Sequence, residues 1–388
     1  MGKIYTALGL MSGTSGDGVD ASIIKSDGNT NYEVILDKYY KYTDEIYKEF
    51  HNLKKAKDDR NNFEKFFSEY EKTISFLEDK ITLFNADLVN EIIISSKINI
   101  DLIGFHGQTI WHDPEGGVTR QLGNGKLLSK STKKNVIYDF RANDLKNKGQ
   151  GAPLAPIFHK LLIDQNKLSL PVTILNIGGI SNITSINKNR EMISLDVGPG
   201  NCLIDQWIRL NSDKPYDNNG LIAKSGKVNI PILKRTLDNF YSSFIKRKRS
   251  YDISDFDLSF VKDLSIEDGA ATLTEFTANI IITKMLMDIN KIDDPVKVYV
   301  STSKINIYLC GGGRKNQFLI DRIKFCIKRD SVEHKINIID DIGIDGDFVE
   351  SQAFGYLAVR SFLGLPISFP ETTGCIKPST GGVFVKNY

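Results

Sequence analysis

Apolar and polar positions along this chain switch between two periods, and the switches mark its elements. Strand-like runs open it, at Ile4 to Met11, Ala21 to Ile24 and Tyr32 to Lys38, separated by short polar turns. Three such runs in succession predict an antiparallel meander. The period then becomes helical. Phe63, Phe66, Phe67, Tyr70, Ile74, Leu77 and Ile81 fall on one stripe at steps of three and four residues, which predicts a buried helix face. Ile98 to Phe105 reads as a strand ending at His106-Gly-Gln-Thr, and Val136 to Phe140 as a strand ending at Arg141.

The second half repeats that opening. Val172 to Asn176 runs into Gly178 and Gly179, Ile183 to Ile186 returns, and Met192 to Leu195 leads into Asp196-Val-Gly-Pro-Gly-Asn. Helices are predicted at Cys202 to Leu210 and Ala270 to Ile289. A strand at Ile305 to Leu309 then enters Cys310-Gly-Gly-Gly-Arg-Lys-Asn, followed by a helix from Gln317. Between them, Asn211 to Ser265 is rich in lysine and serine, but Tyr216, Phe240, Tyr241, Phe244, Tyr251 and Phe260 give it enough apolar area for ordered cover.

The loops at strand ends carry the candidate chemistry. Gly13-Thr14-Ser15-Gly16-Asp17-Gly18-Val19-Asp20 combines glycines that turn N–H groups toward an anion, hydroxyl donors, and carboxylates able to hold a hydrated divalent cation. A magnesium nucleotide suits it; a hairpin turn recruits the same residues, and this loop alone does not choose between the two. Four glycine-containing loops at strand ends resemble the acetate and sugar kinase, Hsp70 and actin superfamily. The fold class expected is therefore α/β, two-lobed and actin-like, with a nucleotide and substrate cleft between lobes formed by residues 1–133 plus 370–388 and by residues 134–369. No G-x-x-x-x-G-K-[ST] loop is present, and no G-x-G-x-x-G follows the first strand, which sets aside a Walker ATPase and a Rossmann dehydrogenase.

Composition sets the surroundings. The chain has 388 residues and a formal net charge of +2, too balanced to point to nucleic acid, and the lysines of Lys54 to Arg60 are mixed with Asp58 and Asp59 as on a solvated helix face. Cys202, Cys310, Cys326 and Cys375 are far apart without C-x-x-C spacing, which fits a reducing cytoplasm better than a disulfide framework or a zinc ribbon. Asn279 to Ile289 is broken by Thr283, Lys284 and Asp288, so no membrane span is expected, and the N-terminus reads as mature sequence without a signal peptide. A homodimer is the commonest prior for closed symmetry.

Nine motifs in order carry a closer resemblance: Gly9-Leu-Met-Ser-Gly-Thr-Ser, Gly104-Phe-His-Gly-Gln-Thr, Gln121-Leu-Gly-Asn, Gly149-Gln-Gly-Ala-Pro-Leu, Asn176-Ile-Gly-Gly-Ile-Ser-Asn, Asp196-Val-Gly-Pro-Gly-Asn, Ala270-Ala-Thr-Leu, Cys310-Gly-Gly-Gly and Glu350-Ser-Gln-Ala-Phe. Together they resemble the anhydro-N-acetylmuramic acid kinases. The resemblance implies a cytoplasmic peptidoglycan-recycling enzyme that opens the 1,6-anhydro ring of its amino sugar with water and phosphorylates O6 from ATP with Mg2+. It implies an ATP site at Gly13 to Asp20, with magnesium on Asp17 or Asp20, between which the sequence does not choose. It also makes Asp196 the base that takes the proton of the attacking water, against an N-cap or Asx turn as the ordinary reading. The resemblance makes Glu350 the second catalytic candidate, near the sugar at the start of a helix over Ser351 to Phe362, against a helix-dipole role as the ordinary reading.

Other candidates rest on residue type. Gly178 and Gly179, in a loop between strands, and Gly311, Gly312 and Gly313 allow a nucleotide to approach the backbone, although for the last three a strand-to-helix turn has the same composition. His106 or Gln108 suits a sugar contact with Trp111 stacking on the ring, and Trp111 suits an ordinary core equally well. Arg120, Asp139 and Arg141 suit a substrate carboxylate or the orientation of the sugar, with salt bridging as the alternative for the arginines. His106 and His112 match no zinc spacing. Three departures from the family pattern stand out: Gly16 where leucine is usual, Lys148 in place of a glycine, and an inserted strand expected at Val296 to Ser303. Another small-molecule kinase of the superfamily, a nucleotide-binding member without sugar kinase activity, and an actin- or Hsp70-like switch are the competing functions.

Overall fold

In the computed structural model, the described residues are 2–58, 62–243, 250–251, 253–295, 297–299, 301 and 303–387. Among them the strands, in chain order, are β1 (Tyr5–Ser12), β2 (Gly18–Ser26), β3 (Tyr32–Lys41), β4 (Leu102–Asp113), β5 (Val118–Leu122), β6 (Asn135–Tyr138), β7 (Val172–Ile177), β8 (Ile180–Ile186), β9 (Met192–Pro199), β10 (Asn306–Cys310), β11 (Lys335–Ile338) and β12 (Val383–Val385). The chain divides into two compact units, Met1–Gln165 with Phe348–Tyr388, and Asn166–Asp347.

The first unit is built on a seven-stranded sheet in the order β12-β6-β4-β1-β2-β3, with β5 added to β4. β1, β2 and β3 form the expected antiparallel meander, while β4 and β6 run parallel to β1. The second unit has a five-stranded sheet, β11-β10-β7-β8-β9, in which β7, β8 and β9 are the meander and β10 and β11 run parallel to β7. The cores of the two sheets are therefore one topology used twice, which is the physical content of the repeated sequence pattern. In each, the candidate loops follow the carboxyl ends of the parallel strands, where α/β sheets commonly bind ligands.

Both unit boundaries differ from those expected at residues 133/134 and 369/370. β6 belongs to the first sheet because it pairs in parallel with β4. The Val349–Phe362 helix belongs there as well, because it lies directly on β1 and β4. A Cβ on Gly9 would fall 1.9 Å from the Ser351 carbonyl oxygen, and one on Gly104 would fall 2.2 Å from that of Phe354. Glycine at these two positions is what permits the close approach. A buried polar seam fixes the same helix: Ser22 meets Ser351 at 2.6 Å and donates to Asp37 at 2.5 Å, and Gln352 donates to Asp37 at 2.8 Å.

The helical stripe is two helices, Phe63–Glu69 and Glu71–Ser96, broken at Tyr70. Phe66, Ile74, Leu77 and Ile81 are buried as the periodicity predicts. Trp111 is core: it is buried and lies within 5.6 Å, centroid to centroid, of both Phe63 and Phe66. It therefore has no face to offer a sugar. β5 has no counterpart in the predicted strands, since its five residues are half polar and only pairing with β4 makes them a strand. β4 begins later than expected and continues through His106 and Thr109 to Asp113.

In the second unit, Phe240 and Tyr251 are buried in a cluster with Trp207 and Phe276, whereas Tyr216 is exposed; Phe244 lies outside the described residues. Val296, Val300 and Thr302 also lie outside them, and residues 297–299, 301 and 303 contain no strand. Asp59 and Arg60, from the charged cluster, are likewise outside. No helix among the described residues is long and apolar enough to cross a membrane.

Candidate active site

The first loop is a hairpin turn between β1 and β2. Gly13 to Asp17 form the connection, and Gly18, Val19 and Asp20 already belong to β2, with Asp20 opposite Met11 and Tyr39. The turn reading is the one the structure shows. Gly16 closes it with an N–H to the Gly13 carbonyl at 3.2 Å, and its φ of +62° is one that leucine rarely adopts. Distant residues brace the loop: Gln108 Nε2 donates to the Gly13 carbonyl at 2.8 Å, Lys54 Nζ to that of Thr14 at 3.2 Å, and His51 Nε2 to that of Ser15 at 2.9 Å. With their carbonyls turned to these donors, Thr14 and Ser15 keep exposed side chains. Sequence reading missed His51 and Lys54, because a helix some forty residues away leaves no local signal.

Asp17 is exposed and accepts from Ser15 Oγ at 2.6 Å. Desolvation, with Asp17 and Asp20 both acting on it, pushes the Tyr39 phenol up to about 12, so both carboxylates stand around one ring. Two carboxylates suit hydrated magnesium, which keeps several waters and takes its remaining oxygens from phosphate. No group of three or more metal-binding side chains occurs among the described residues, so an all-protein cage is absent there.

A second cluster in the same unit gathers His106, Arg141 and Glu350. His106 is buried; its Nδ1–H donates to the Gly107 carbonyl at 2.8 Å, and Nε2 accepts from Arg141 Nη2 at 2.9 Å. Burial, reinforced by the Arg141 charge, holds this imidazole well below the usual histidine pKa, so it is neutral. Arg141 also donates to the Gly151 carbonyl at 2.8 Å, and its charge acts on Glu350. Desolvation raises the Glu350 carboxyl, with Arg141 opposing. Phe354, one turn beyond Glu350, lies 4.5 Å from the His106 ring. The Oε1 of Gln108, in the same strand, is buried without a hydrogen-bond partner among the described residues. Such an atom is costly unless a ligand or water satisfies it.

Arg120 and Asp139 form a third group. Arg120 donates to Glu78 at 2.7 Å, and Glu78 also accepts from the Gly123 N–H at 2.9 Å. The salt-bridge reading of Arg120 is realised in this structure. Asp139 sits just past β6 with φ +55°; desolvation raises its carboxyl, and Arg120 acts against that rise.

In the second unit Asp196 lies inside β9 rather than at its end. It pairs with Asn182, and a bulge at Val197 lets the strand run on to Pro199, which an edge strand tolerates. Its Oδ2 accepts the Tyr251 N–H at 2.8 Å, and the residue capping the Cys202–Asn211 helix is Asn201, so Asp196 is no N-cap. Gly178 and Gly179 are bound to the following turn: Gly200 N donates to the Gly179 carbonyl and Asn201 N to that of Gly178, both at 2.8 Å. In the Gly311–Gly313 loop, Cβ atoms at 311 and 313 would meet Asn176 and Ile177 at 2.3 and 2.2 Å. At Gly312 a Cβ would meet nothing within 4 Å, and its φ is not in the left-handed region. Packing demands glycine at 311 and 313 but not at 312.

Comparison with known proteins gives the family. Residues 5–387 match the family described as Anhydro-N-acetylmuramic acid kinase. The protein of that name from Pelagibacter ubique is 51% identical over 390 residues, and that from Brucella canis 38% over 393, each alignment covering 100% of both chains. That from Agrobacterium fabrum is 36% identical over 395 residues, again across 100% of both. A Schistosoma mansoni hexokinase complexed with glucose aligns with a TM-score of 0.42 at 10% identity, covering 91% of this chain and 85% of that one. The family match and these full-length relatives define the class as a kinase. The chain belongs to the anhydro-N-acetylmuramic acid kinase family.

The buried histidines give a pH prediction. Burial holds His159 down to about 4 and His106 well below its ordinary value. Each is neutral in the folded state, so the unfolded chain binds more protons below about pH 6.5. Their contribution to stability is complete above that pH and is lost as pH falls through the folded values. His159 alone accounts for about 3 kcal/mol by pH 4. Melting temperatures measured from pH 7 down to 4 are expected to drop across this window; a flat profile would contradict the assignment.

Proposed function

We propose that the protein phosphorylates 1,6-anhydro-N-acetylmuramic acid at O6 from ATP while water opens the anhydro bridge, giving N-acetylmuramic acid 6-phosphate in peptidoglycan recycling in the cytoplasm. The full-length family match carries the reading. A homodimer remains part of the proposal on symmetry grounds alone.

The chemistry assigns each group a task. Water attacks the anomeric carbon and gives its proton to Asp196, a carboxylate held on a strand with one oxygen fixed by a backbone N–H. The bond from the anomeric carbon to O6 breaks, O6 takes the γ-phosphoryl group, and ADP leaves. Glu350, with its raised carboxyl pKa, is suited to hydrogen-bond the sugar, and Arg141, set by His106, to orient it. Gln108 offers its unsatisfied Oε1 to a donor, while Arg120 and Asp139 line the sugar's surroundings. Gly13 to Asp20, Gly178, Gly179 and Gly311 to Gly313 receive the nucleotide. Asp17 and Asp20 would hold magnesium, whose charge offsets that developing on the transferred phosphoryl group.

The test is ADP release from magnesium ATP with and without the anhydro sugar, followed by the product's mass. Release that requires the sugar, with a product heavier by one water and one phosphoryl group, is the expected result. A product gaining the phosphoryl group alone would indicate a kinase without the hydrolytic step, and sugar-independent release a nucleotide switch.

A further inference from the structure

Arg314 follows the Gly311–Gly313 loop and is almost completely buried, with 5% of its side chain exposed. Its guanidinium is shared among four partners in the same unit. Nε and Nη2 donate to the two oxygens of Asp340 at 2.7 and 2.9 Å, a bidentate fork. Nη1 donates to Asp347 at 2.5 Å and to the Gly311 carbonyl at 3.2 Å, and Nη2 reaches Asp345 at 3.2 Å. The loop that supplies Asp345 and Asp347 is tied back by the Gly311 N–H, which donates to the Gly346 carbonyl at 3.0 Å. Gly346 itself leaves room for the guanidinium, since a Cβ there would fall 2.4 Å from Arg314 Nε.

So many charged partners are more than a buried arginine requires for neutrality. Their arrangement has a geometric result: both the N–H and the carbonyl of Gly311 are held, at a φ of +78°, by groups that meet at Arg314. The next residue is Gly312, the one glycine of the three whose identity packing does not explain. We infer that Arg314 is a positioning residue for nucleotide binding, holding the Gly311–Gly313 turn in the one conformation that presents the Gly312 backbone to ATP. This rests on reading that loop as part of the nucleotide site. A lysine cannot replace it, because a single ammonium cannot form the Asp340 fork and reach Asp347 and the Gly311 carbonyl together.

The experiment compares Arg314→Met, Arg314→Lys, Asp340→Asn and Gly312→Ala in the full chain, measuring KM for magnesium ATP, KM for the anhydro sugar and kcat. Arg314→Met is expected to raise KM for ATP by about 10-fold or more with KM for the sugar unchanged, and Arg314→Lys to restore little of it. A merely structural role would lower the active fraction, hence kcat, without this split. Asp340→Asn keeps the size of the group and loosens the fork, so it raises KM for ATP in the same direction and serves if Arg314→Met does not fold. Gly312→Ala adds a methyl group into open space and tests the loop itself. If Gly312→Ala raises KM for ATP but neither Arg314→Met nor Asp340→Asn does, the positioning role is overturned and the nucleotide reading stands. If none of them changes it, the nucleotide reading of the loop falls and the positioning role with it.

Discussion

Asp196→Asn is expected to lower sugar-dependent ADP release by about 10²–10⁴-fold, the usual contribution of a general base. The substitution separates chemistry from folding unusually well. Asp196 Oδ2 accepts the Tyr251 N–H at 2.8 Å, and an asparagine carbonyl oxygen can accept the same bond. What asparagine lacks is the capacity to take a proton from water. The variant should therefore melt like the parent and bind magnesium ATP like the parent, while releasing ADP slowly with the sugar present. Equal turnover in the two proteins would remove Asp196 from the mechanism.

The second large effect is expected at Gly9. An alanine there places its methyl group 1.9 Å from the Ser351 carbonyl oxygen and 2.4 Å from the Gly355 nitrogen, both backbone atoms that cannot swing aside. The Val349–Phe362 helix must lift from β1, breaking the Ser22–Ser351 bond and carrying Glu350 with it. Overpacking of a close contact typically costs about 1–3 kcal/mol, which lowers the melting temperature of a unit this size by several degrees. Turnover should fall as well, because Glu350 stands in the first turn of the displaced helix. Gly104→Ala, meeting the Phe354 carbonyl at 2.2 Å, should behave alike. Thermal melts and steady-state kinetics read both consequences. An unchanged melting temperature for Gly9→Ala would contradict the packing argument.

The legible part of this protein was the part written in short-range patterns. Alternation marked β1, β2 and β3 and their counterparts β7, β8 and β9, and the repetition of that grammar foretold two sheets of one topology. Glycine-rich loops at strand ends marked the anion-binding candidates, because turns and anion sites need the same backbone freedom. The motif order named the family. Strand limits were less legible: β4 runs past His106 and β9 past Asp196 because neighbouring strands offer pairing partners, which a local pattern does not record.

The residue types of the site, its loops and its family were thus determined by sequence alone. Tertiary structure decided which of those residues are engaged and by what. Trp111, open to either reading, became core once Phe63 and Phe66 closed on it, and Arg120 was drawn to Glu78, forty-two positions earlier. His106 turned out neutral, with both ring nitrogens committed, because burial and Arg141 act together on it. Arg314, one basic residue after three glycines, acquired a role only when Asp340, Asp345 and Asp347 converged around it. Hydrogen bonds and desolvation depend on distance in space, and residues far apart in the chain become neighbours only on folding.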